Sequence, residues 1–581
     1  MSEVLVTKLA SALKQDVARK HNLPVSSLTM TPEQDAAFLQ RLDKGSLVEV
    51  DMELIRDLRQ VAKFTYKVKV EPTRNQREET QKAFLDRNRG CLAWRGDGFL
   101  SAAASRSESP DQCGREPSPI IRTLLLAKRI VGYLTRNYSG PAIPRHGPGT
   151  TYFKYDTRYT KYRYLERDVP EAIMLRMAEL FRPSGASEFV DGLPTLNVCR
   201  LSCVPKDARG PRLVAPHLAS AMWAQQAVLD AIEDMLETEE GLLSTHILYE
   251  DERVVSLQLR DQSINRRVAQ LGSKYPDLYA TLDLKDASDR ISLRLVEFLF
   301  RGTTLLEDLK AVRATHVEVD GTTHELFMHA PMGSACCFPV MGISLWALAV
   351  ATMWTLDTEQ HVDPDESFPS KRSLYWATKP FVFGDDVIVP TRYVDAIRTI
   401  FSVCGLQINE RKTFAGQAFR ESCGGEYYKG VDIAPRLLRT ADTSDISSVV
   451  GLVTLYNAVA PRYYDLSEEI LKELLKAPAG IVAFSSDPNE QSCIFVEPTN
   501  VAIRLNRQIG NVVRYHPGYQ CYQVLVRRLI REEETGIDPR VDSRARLYEA
   551  LAGRAQKARP GRSCLGWESQ GSHEAQRWLC V

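Results

Sequence analysis

The chain has 581 residues, with 74 Lys plus Arg against 74 Asp plus Glu. That length leaves room for roughly four domain-sized units or one large enzyme of interleaved subdomains, and 44% hydrophobic with 25% charged residues excludes a fibrous, collagen-like or wholly disordered chain. A formal net charge of zero excludes a protein that holds polyanions by bulk charge, while local basic grooves stay open.

Taken in chain order, Met1 to Lys20 sets Lys8, Lys14, Asp16 and Arg19 among Val4, Leu5, Leu9 and Leu13, a surface-helix pattern without the continuous apolar core of a signal peptide. Helical spacing continues to about Leu85, as in Leu54, Ile55, Leu58, Val61 and Ala62, with turns at Pro24, Pro32 and Pro72. Ser101 to Pro119 reads as an exposed loop, and the Arg95-Gly96-Asp97 tripeptide before it as a chance match to an adhesion motif. After the turn-forming Arg145 to Thr150, five tyrosines (152, 155, 159, 162 and 164) interleave with Lys154, Arg158, Lys161, Arg163 and Arg167. Such a run suits single-stranded nucleic acid, and equally a half-buried strand with solvated charges.

The stretch Val204 to Val214 alternates Lys206, Arg209 and Arg212 with Gly and Pro ahead of a helix-like run from Ala219 to Glu233. Three cations on a stiff segment can converge on a triphosphate, and a solvated loop has the same composition. The twelve cysteines form no CxxC pair and read as reduced thiols. Ala330 to Leu356 carries no charge, long enough to span a bilayer. Pro331, Gly333 and Pro339 break its first part and no basic cluster flanks it, so a buried core helix is expected. Further on, Leu466 starts a helix with Ser467 as its cap, and Gly553 to Ser572 looks loosely ordered.

Two stretches carry carboxylates in unusual settings. In Lys379 to Pro390, apolar runs bracketed by prolines flank Gly384-Asp385-Asp386, which reads as a tight β-hairpin displaying two adjacent acids. Because both strands are apolar on both faces, the turn belongs in a cleft or at a core edge, where crowded carboxylates require a cation. In Leu278 to Asp289, Asp283 ends an apolar strand and Asp289 begins a helix, the latter as a backbone cap or as a functional acid. Strand-borne acids from separate segments, Asp283 and Asp385, are the minimum for a pair of Mg²⁺ ions, which implies nucleotidyl transfer; nothing signals covalent catalysis.

In this order the motifs resemble those of viral RNA-dependent RNA polymerases, and most closely the replicase subunit of single-stranded RNA bacteriophages (leviviruses). The resemblance runs from about Arg145 to Arg439 through the basic loop, Asp283 to Ser292, Pro331-Met332-Gly333-Ser334, Gly384-Asp385-Asp386, Gly405 to Asn409 with Lys412, and Phe419 to Asp432. It implies an α+β right-hand polymerase fold. Residues 1–140 would be a helical region contributing to fingers, 141–275 fingers with the NTP-binding loop, 276–440 the palm, and 441–581 a helical thumb and tail. Asp283, Asp385 and Asp386 would be metal ligands for two Mg²⁺ ions, with Mn²⁺ able to substitute, and Lys412 a general acid, or else a solvated lysine. Lys206, Arg209 and Arg212 would contact the triphosphate, and Asp289 with Ser334 would sense the ribose, although no Asn follows Ser334 as it does in many polymerases. Implied partners are a single-stranded RNA template, NTPs and host translation proteins (elongation factors and a ribosomal protein), without a membrane, in the cytoplasm of a bacterial host. The alternatives are a reverse transcriptase-like polymerase and a catalytically inactive RNA-binding homologue.

Overall fold

A computed structural model describes residues 3–28, 51–68, 71–93, 118–144, 150–153, 169–181, 196–207, 210–239, 243–247, 253–358, 380–440, 443, 445–478, 480–531 and 572–581. Helix and strand are mixed throughout. The N-terminal part supplies α1 (Glu3–His21), α2 (Met52–Lys63), α3 (Arg74–Ala93) and α4 (Pro119–Leu134). The strand β1 (Val198–Arg200), the hairpin of β2 (Ser202–Asp207) and β3 (Gly210–Val214), and α5 (Ala219–Thr238) follow. The middle of the chain holds β4 (Leu257–Gln258), α6 (Ser263–Lys274), β5 (Tyr279–Leu282), β6 (His316–Val319), β7 (Thr322–Glu325) and α7 (Cys337–Thr358). Then come β8 (Phe381–Phe383), β9 (Asp386–Pro390), α8 (Val394–Val403), β10 (Phe419–Ser422) and β11 (Gly425–Tyr428). The C-terminal part contains α9 (Ile446–Val459), α10 (Tyr464–Leu474), α11 (Thr499–Gln508), β12 (Val513–His516), β13 (Cys521–Arg531) and β14 (Ser572–Cys580).

The uncharged run forms α7, which packs along α4 and against α8 and the sheet strands. Seven consecutive side chains, Leu345 to Ala351, are fully buried. A helix hydrophobic all round is a helix enclosed on all sides; this one is long and apolar enough to cross a membrane, yet the protein's own core surrounds it. Pro339 does not break it, contrary to the sequence reading. It lies in the first turn, where its missing N–H costs no intrahelical bond.

Beside α7 lies a four-stranded sheet ordered β4-β8-β9-β5, in which β8 and β9 are antiparallel, as are β9 and β5. Val382, Val387, Ile388 and Val389 are all at most 1% exposed, so the hairpin read from its apolar flanks stands at a core edge.

The N-terminal helices distribute over four cores, one of them joining Ile55 of α2 to Phe414, Phe419 and Tyr428. From α1, Leu5, Leu9, Leu13 and Val17 join α9, α10 and strands β12 to β14 in one cluster, with Leu58 and Val61 of α2 packed against it. Phe84 and Cys91 of α3 pack with β1 and β6, and α4 packs on α7. Asp16 of α1 accepts the main-chain N–H groups of Asp465 (3.0 Å) and Leu466 (2.9 Å), serving the start of α10. That corrects the expected cap: α10 begins at Tyr464, and Ser467 lies inside it, its hydroxyl donating to the Tyr464 carbonyl. Residues 553–571 lie outside the described residues, as do the Arg95-Gly96-Asp97 tripeptide and residues 101–117.

Candidate active site

The last residues paired between β5 and β9 are Leu282 and Val387, so one further step brings Asp283 opposite Asp386. Asp385 occupies the two-residue turn between β8 and β9 with Gly384, and it is exposed. The turn depends on glycine twice over. Gly384 has φ +61°, and a Cβ there would stand 2.1 Å from the ring of Phe338 in the first turn of α7. A positive φ at the first central residue suits the twist of the flanking strands.

Asp283 is held from the segment that follows α8. Asn409 donates its side-chain N–H to the Asp283 carboxylate at 2.7 Å, and Lys412 stands 3.4 Å from the other oxygen. Burial raises the Asp283 pKa; Lys412 and Asn409 oppose that, and the charges of Glu421 and Asp385 add to it. Lys412 is therefore neither a plain solvated lysine nor free of the site. Burial works against its charge, but Glu421 and Asp283 outweigh it, so its pKa lies above the usual lysine range.

Asp386 is drawn the other way, toward the tip of the β10–β11 hairpin. Its carboxylate accepts the Cys423 N–H at 3.2 Å and the Ser422 hydroxyl at 3.3 Å, with the Cys423 thiol at 3.6 Å. The tip is a two-residue turn in which Cys423 (φ +49°) and Gly424 (φ +75°) are both left-handed, as a tight hairpin with matched twist demands. Burial first, then the neighbouring Asp385, push the Asp386 pKa up to about 6; the Cys423 N–H opposes this, while Asp283 and Glu421 reinforce it.

Glu421 on β10 was missed in the sequence, where it reads as one more strand residue. Its charge reaches Asp283, Asp386 and Lys412 alike. It is also 3.8 Å from Lys63 of α2, which pairs with Glu426 of β11. Fully buried Arg59 completes that anchor, donating Nε (2.9 Å) and Nη2 (2.7 Å) to Glu426.

Four carboxylates thus gather at one end of the sheet with Lys412 as the cation at Asp283. Among the described residues no group of three or more His, Cys, Asp or Glu side chains forms a ready metal cage. Hard oxygen donors, two of which (Asp283 and Asp386) have raised pKa values, still fit a hydrated divalent cation, because Mg²⁺ is commonly held by one or two carboxylates plus water and substrate phosphates.

The basic segment is the β2–β3 hairpin rather than a loop, with a register shift at Lys206. Arg212 is exposed on β3, and Arg209 lies outside the described residues. The turn at Ser334 docks against the end of β3: the Ala215 N–H donates to the Met332 carbonyl at 2.7 Å, and a Cβ on Gly333 (φ +127°) would meet the Ala215 oxygen at 2.4 Å. Ser334 is buried, and its hydroxyl oxygen accepts the Cys336 N–H at 3.3 Å.

Asp289 is not a helix cap. The helical turn Ala287–Arg290 has Asp286 at its N-cap, whereas Asp289 pairs with Arg87 of α3 at 3.0 Å and its main-chain oxygen accepts the Cys91 thiol. No local pattern announces Arg87. Of the tyrosine-rich run only Tyr152 is described, its hydroxyl on Glu318 and the Arg200 guanidinium 4.4 Å over its ring; residues 154–168 lie outside the described residues.

The family model described as RNA replicase, beta-chain, matches residues 194–461. The RNA-directed RNA polymerase beta chain of Enterobacteria phage fr is 31% identical over 225 residues, 38% of this chain and 37% of that protein. The RNA-directed RNA polymerase subunit beta of Escherichia virus Qbeta is 30% identical over 255 residues, 44% and 37% of the two chains. The beta chain of Escherichia phage MS2 is 34% identical over 181 residues, 31% and 30%. These alignments span about a third of the relatives' own length, and over that segment the resemblance to phage replicases holds. Among solved structures, the BmCPV RNA-dependent RNA polymerase at its elongation state superposes with a TM-score of 0.36 at 10% identity, over 61% of this chain and 32% of that one, too distant to bear on the fold.

Proposed function

We propose that this protein is an RNA-directed RNA polymerase that replicates a viral single-stranded RNA genome by two-metal nucleotidyl transfer. The observation that carries the reading is the meeting of Asp283 with the Asp385-Asp386 turn at one sheet end, inside the segment that matches the replicase family. In this reading β5, β8, β9 and α7 form the palm (276–440), residues 141–275 are fingers that lend β4 and α6 to its sheet, and 441–581 is the thumb, which holds the β12–β14 sheet as well as the expected helices. The described helices of residues 1–140 brace all three.

Asp283 and Asp385 would hold Mg²⁺ or Mn²⁺, with Asp386 beside them; when bound, the ions activate the attacking hydroxyl and stabilise the departing pyrophosphate. Asn409 and Lys412 orient Asp283, and Lys412 would be the general acid that protonates the departing pyrophosphate. The Lys206, Arg209 and Arg212 hairpin grips the triphosphate. Ser334 and Asp289 contact the ribose, Asp289 through a carboxylate that Arg87 keeps aimed. RNA template and NTPs are then the substrates, host translation proteins the partners, and the bacterial cytoplasm the setting.

A template-primed assay with NTP and dNTP in parallel tests this. Incorporation of NTP, abolished by Asp385→Asn with RNA binding retained, is expected. Preference for dNTP would make the protein a reverse transcriptase, and binding without incorporation an inactive homologue.

A further inference from the structure

Away from the carboxylates, α11 and β13 border an open cavity of about 500 Å³ lined by Asn500, Ile503, Arg504, Arg507, Gln508 and Tyr522. We propose that this cavity is a second nucleic-acid site, taking a segment of single-stranded RNA with phosphates on the two arginines and a base against Tyr522. The inference goes beyond the polymerase reading and does not depend on it.

Charge comes first. Arg504 and Arg507 stand three residues apart on α11, hence side by side on one helix face. Both are exposed, and no carboxylate lines the cavity. Neither guanidinium has a hydrogen-bond or ion-pair partner among the described residues, whereas Arg514 nearby is occupied, bonded to Gln523 and lying 3.7 Å over Trp578. Adjacent guanidinium forks with no acid to neutralise them are suited to phosphate oxygens.

Aromatic surface comes second. Tyr522 and its cross-strand partner Tyr515 are in edge contact at 5.2 Å, and they are 38% and 52% exposed. Tyr519 at the hairpin tip, 74% exposed, stacks on His516 at 4.5 Å. The inward face of the β12–β13 ladder thus begins apolar at Val513 and Val524, against the core, and ends in tyrosines beside the arginines. Rings that stay exposed next to unneutralised cations match the stacking platform and basic track of single-strand binders. An acidic peptide would use the arginines and leave the rings idle.

The test uses the full chain and a short, unstructured, fluorescein-labelled RNA, followed by anisotropy across a salt series. The double substitution Arg504→Ala/Arg507→Ala should weaken binding about tenfold at low salt and lower the slope of log K against log salt by about 1.4, two phosphate contacts at ~0.7 each. Tyr522→Leu should weaken binding while leaving the slope alone. Wild-type affinity and slope in the double variant would overturn the proposal, as would displacement of RNA by an acidic peptide at equal ionic strength through the same arginines. Photo-crosslinking of 4-thiouridine-bearing RNA to the wild-type protein guards against a misfolded variant: adducts on Tyr515 or Tyr522 support the site, and adducts confined elsewhere refute it. Failure of the wild-type protein to incorporate NTP would sink the polymerase reading and leave these measurements standing.

Discussion

Asn409 grips Asp283 by both ends. Its side chain donates to the carboxylate at 2.7 Å, and its main-chain N–H donates to the Asp283 carbonyl at 2.8 Å. The second bond fixes where Asn409 stands, so the first fixes where the carboxylate points. A hydrogen bond to a charged group contributes about 1.5–3 kcal/mol. Asn409→Ala should therefore lower kcat by roughly ten- to a hundredfold with little change in RNA affinity. Single-turnover incorporation at saturating NTP reads it, and an undiminished rate would remove Asn409 from the site.

Asp289, buried, and Arg87, partly exposed, form an ion pair whose separate loss should be unequal in function. Removing Arg87 leaves the buried Asp289 carboxylate uncompensated, at a cost of up to about 3–5 kcal/mol, whereas removing Asp289 leaves Arg87 its contact with Asp286 at 3.5 Å. Both Asp289→Ala and Arg87→Ala should lower the melting temperature. Only Asp289→Ala should also narrow the NTP-over-dNTP preference in kcat/KM beyond what Arg87→Ala does, because the ribose hydroxyl would lose its acceptor. Equal sugar ratios in the two variants would make Asp289 a structural ion-pair partner alone.

The pH dependence follows from Asp386. Its folded pKa of about 6 lies above the ordinary carboxylate value of 3.8, so the folded state binds the proton more tightly than the unfolded one. The group's favourable contribution is present at low pH and is lost as pH rises from about 4 to about 6, on the order of 2–3 kcal/mol in all. Without divalent metal, Asp386→Asn should accordingly melt higher than wild type above pH 6 and similarly near pH 4. Added Mg²⁺ should shrink the difference. Melting curves across that range check the sign.

The turn glycine gives a steric prediction. Gly384→Ala places a methyl against the Phe338 ring and strains a left-handed φ. Activity should be lost and stability reduced by about 1–3 kcal/mol. Adding Phe338→Leu should restore part of the stability, since the smaller side chain relieves the clash, while the backbone strain remains and the edge contact with Phe383 is lost.

What was legible in the sequence was local. Gly384-Asp385-Asp386 between apolar runs specifies a hairpin because turn type and strand burial are both written within ten residues. The strand ending at Asp283 was visible for the same reason, and the length of α7 was mistaken only where Pro339 falls harmlessly in the first turn. The supporting contacts were not visible. Arg87 reaches Asp289 across 202 positions and Lys63 reaches Glu426 across 363; nothing about either residue's neighbours distinguishes it from an ordinary helix-surface cation. Glu421 escaped notice because a single acid on a short strand gains its meaning only from the sheet beside it.

The sharing of one core by α1 and α10 has a consequence for the order of events during synthesis. At about 5–20 residues per second, the ribosome needs on the order of 20–90 s between completing His21 and reaching Tyr464. For that interval Leu5, Leu9, Leu13 and Val17 lack α9 and α10, and Asp16 lacks the helix end it satisfies. The apolar stripe of α1 thus waits through more than four hundred residues of synthesis for its partners in α9 and α10. Until then α2 can cover part of α1, and the rest of its apolar stripe stays open to chaperones or to another nascent copy.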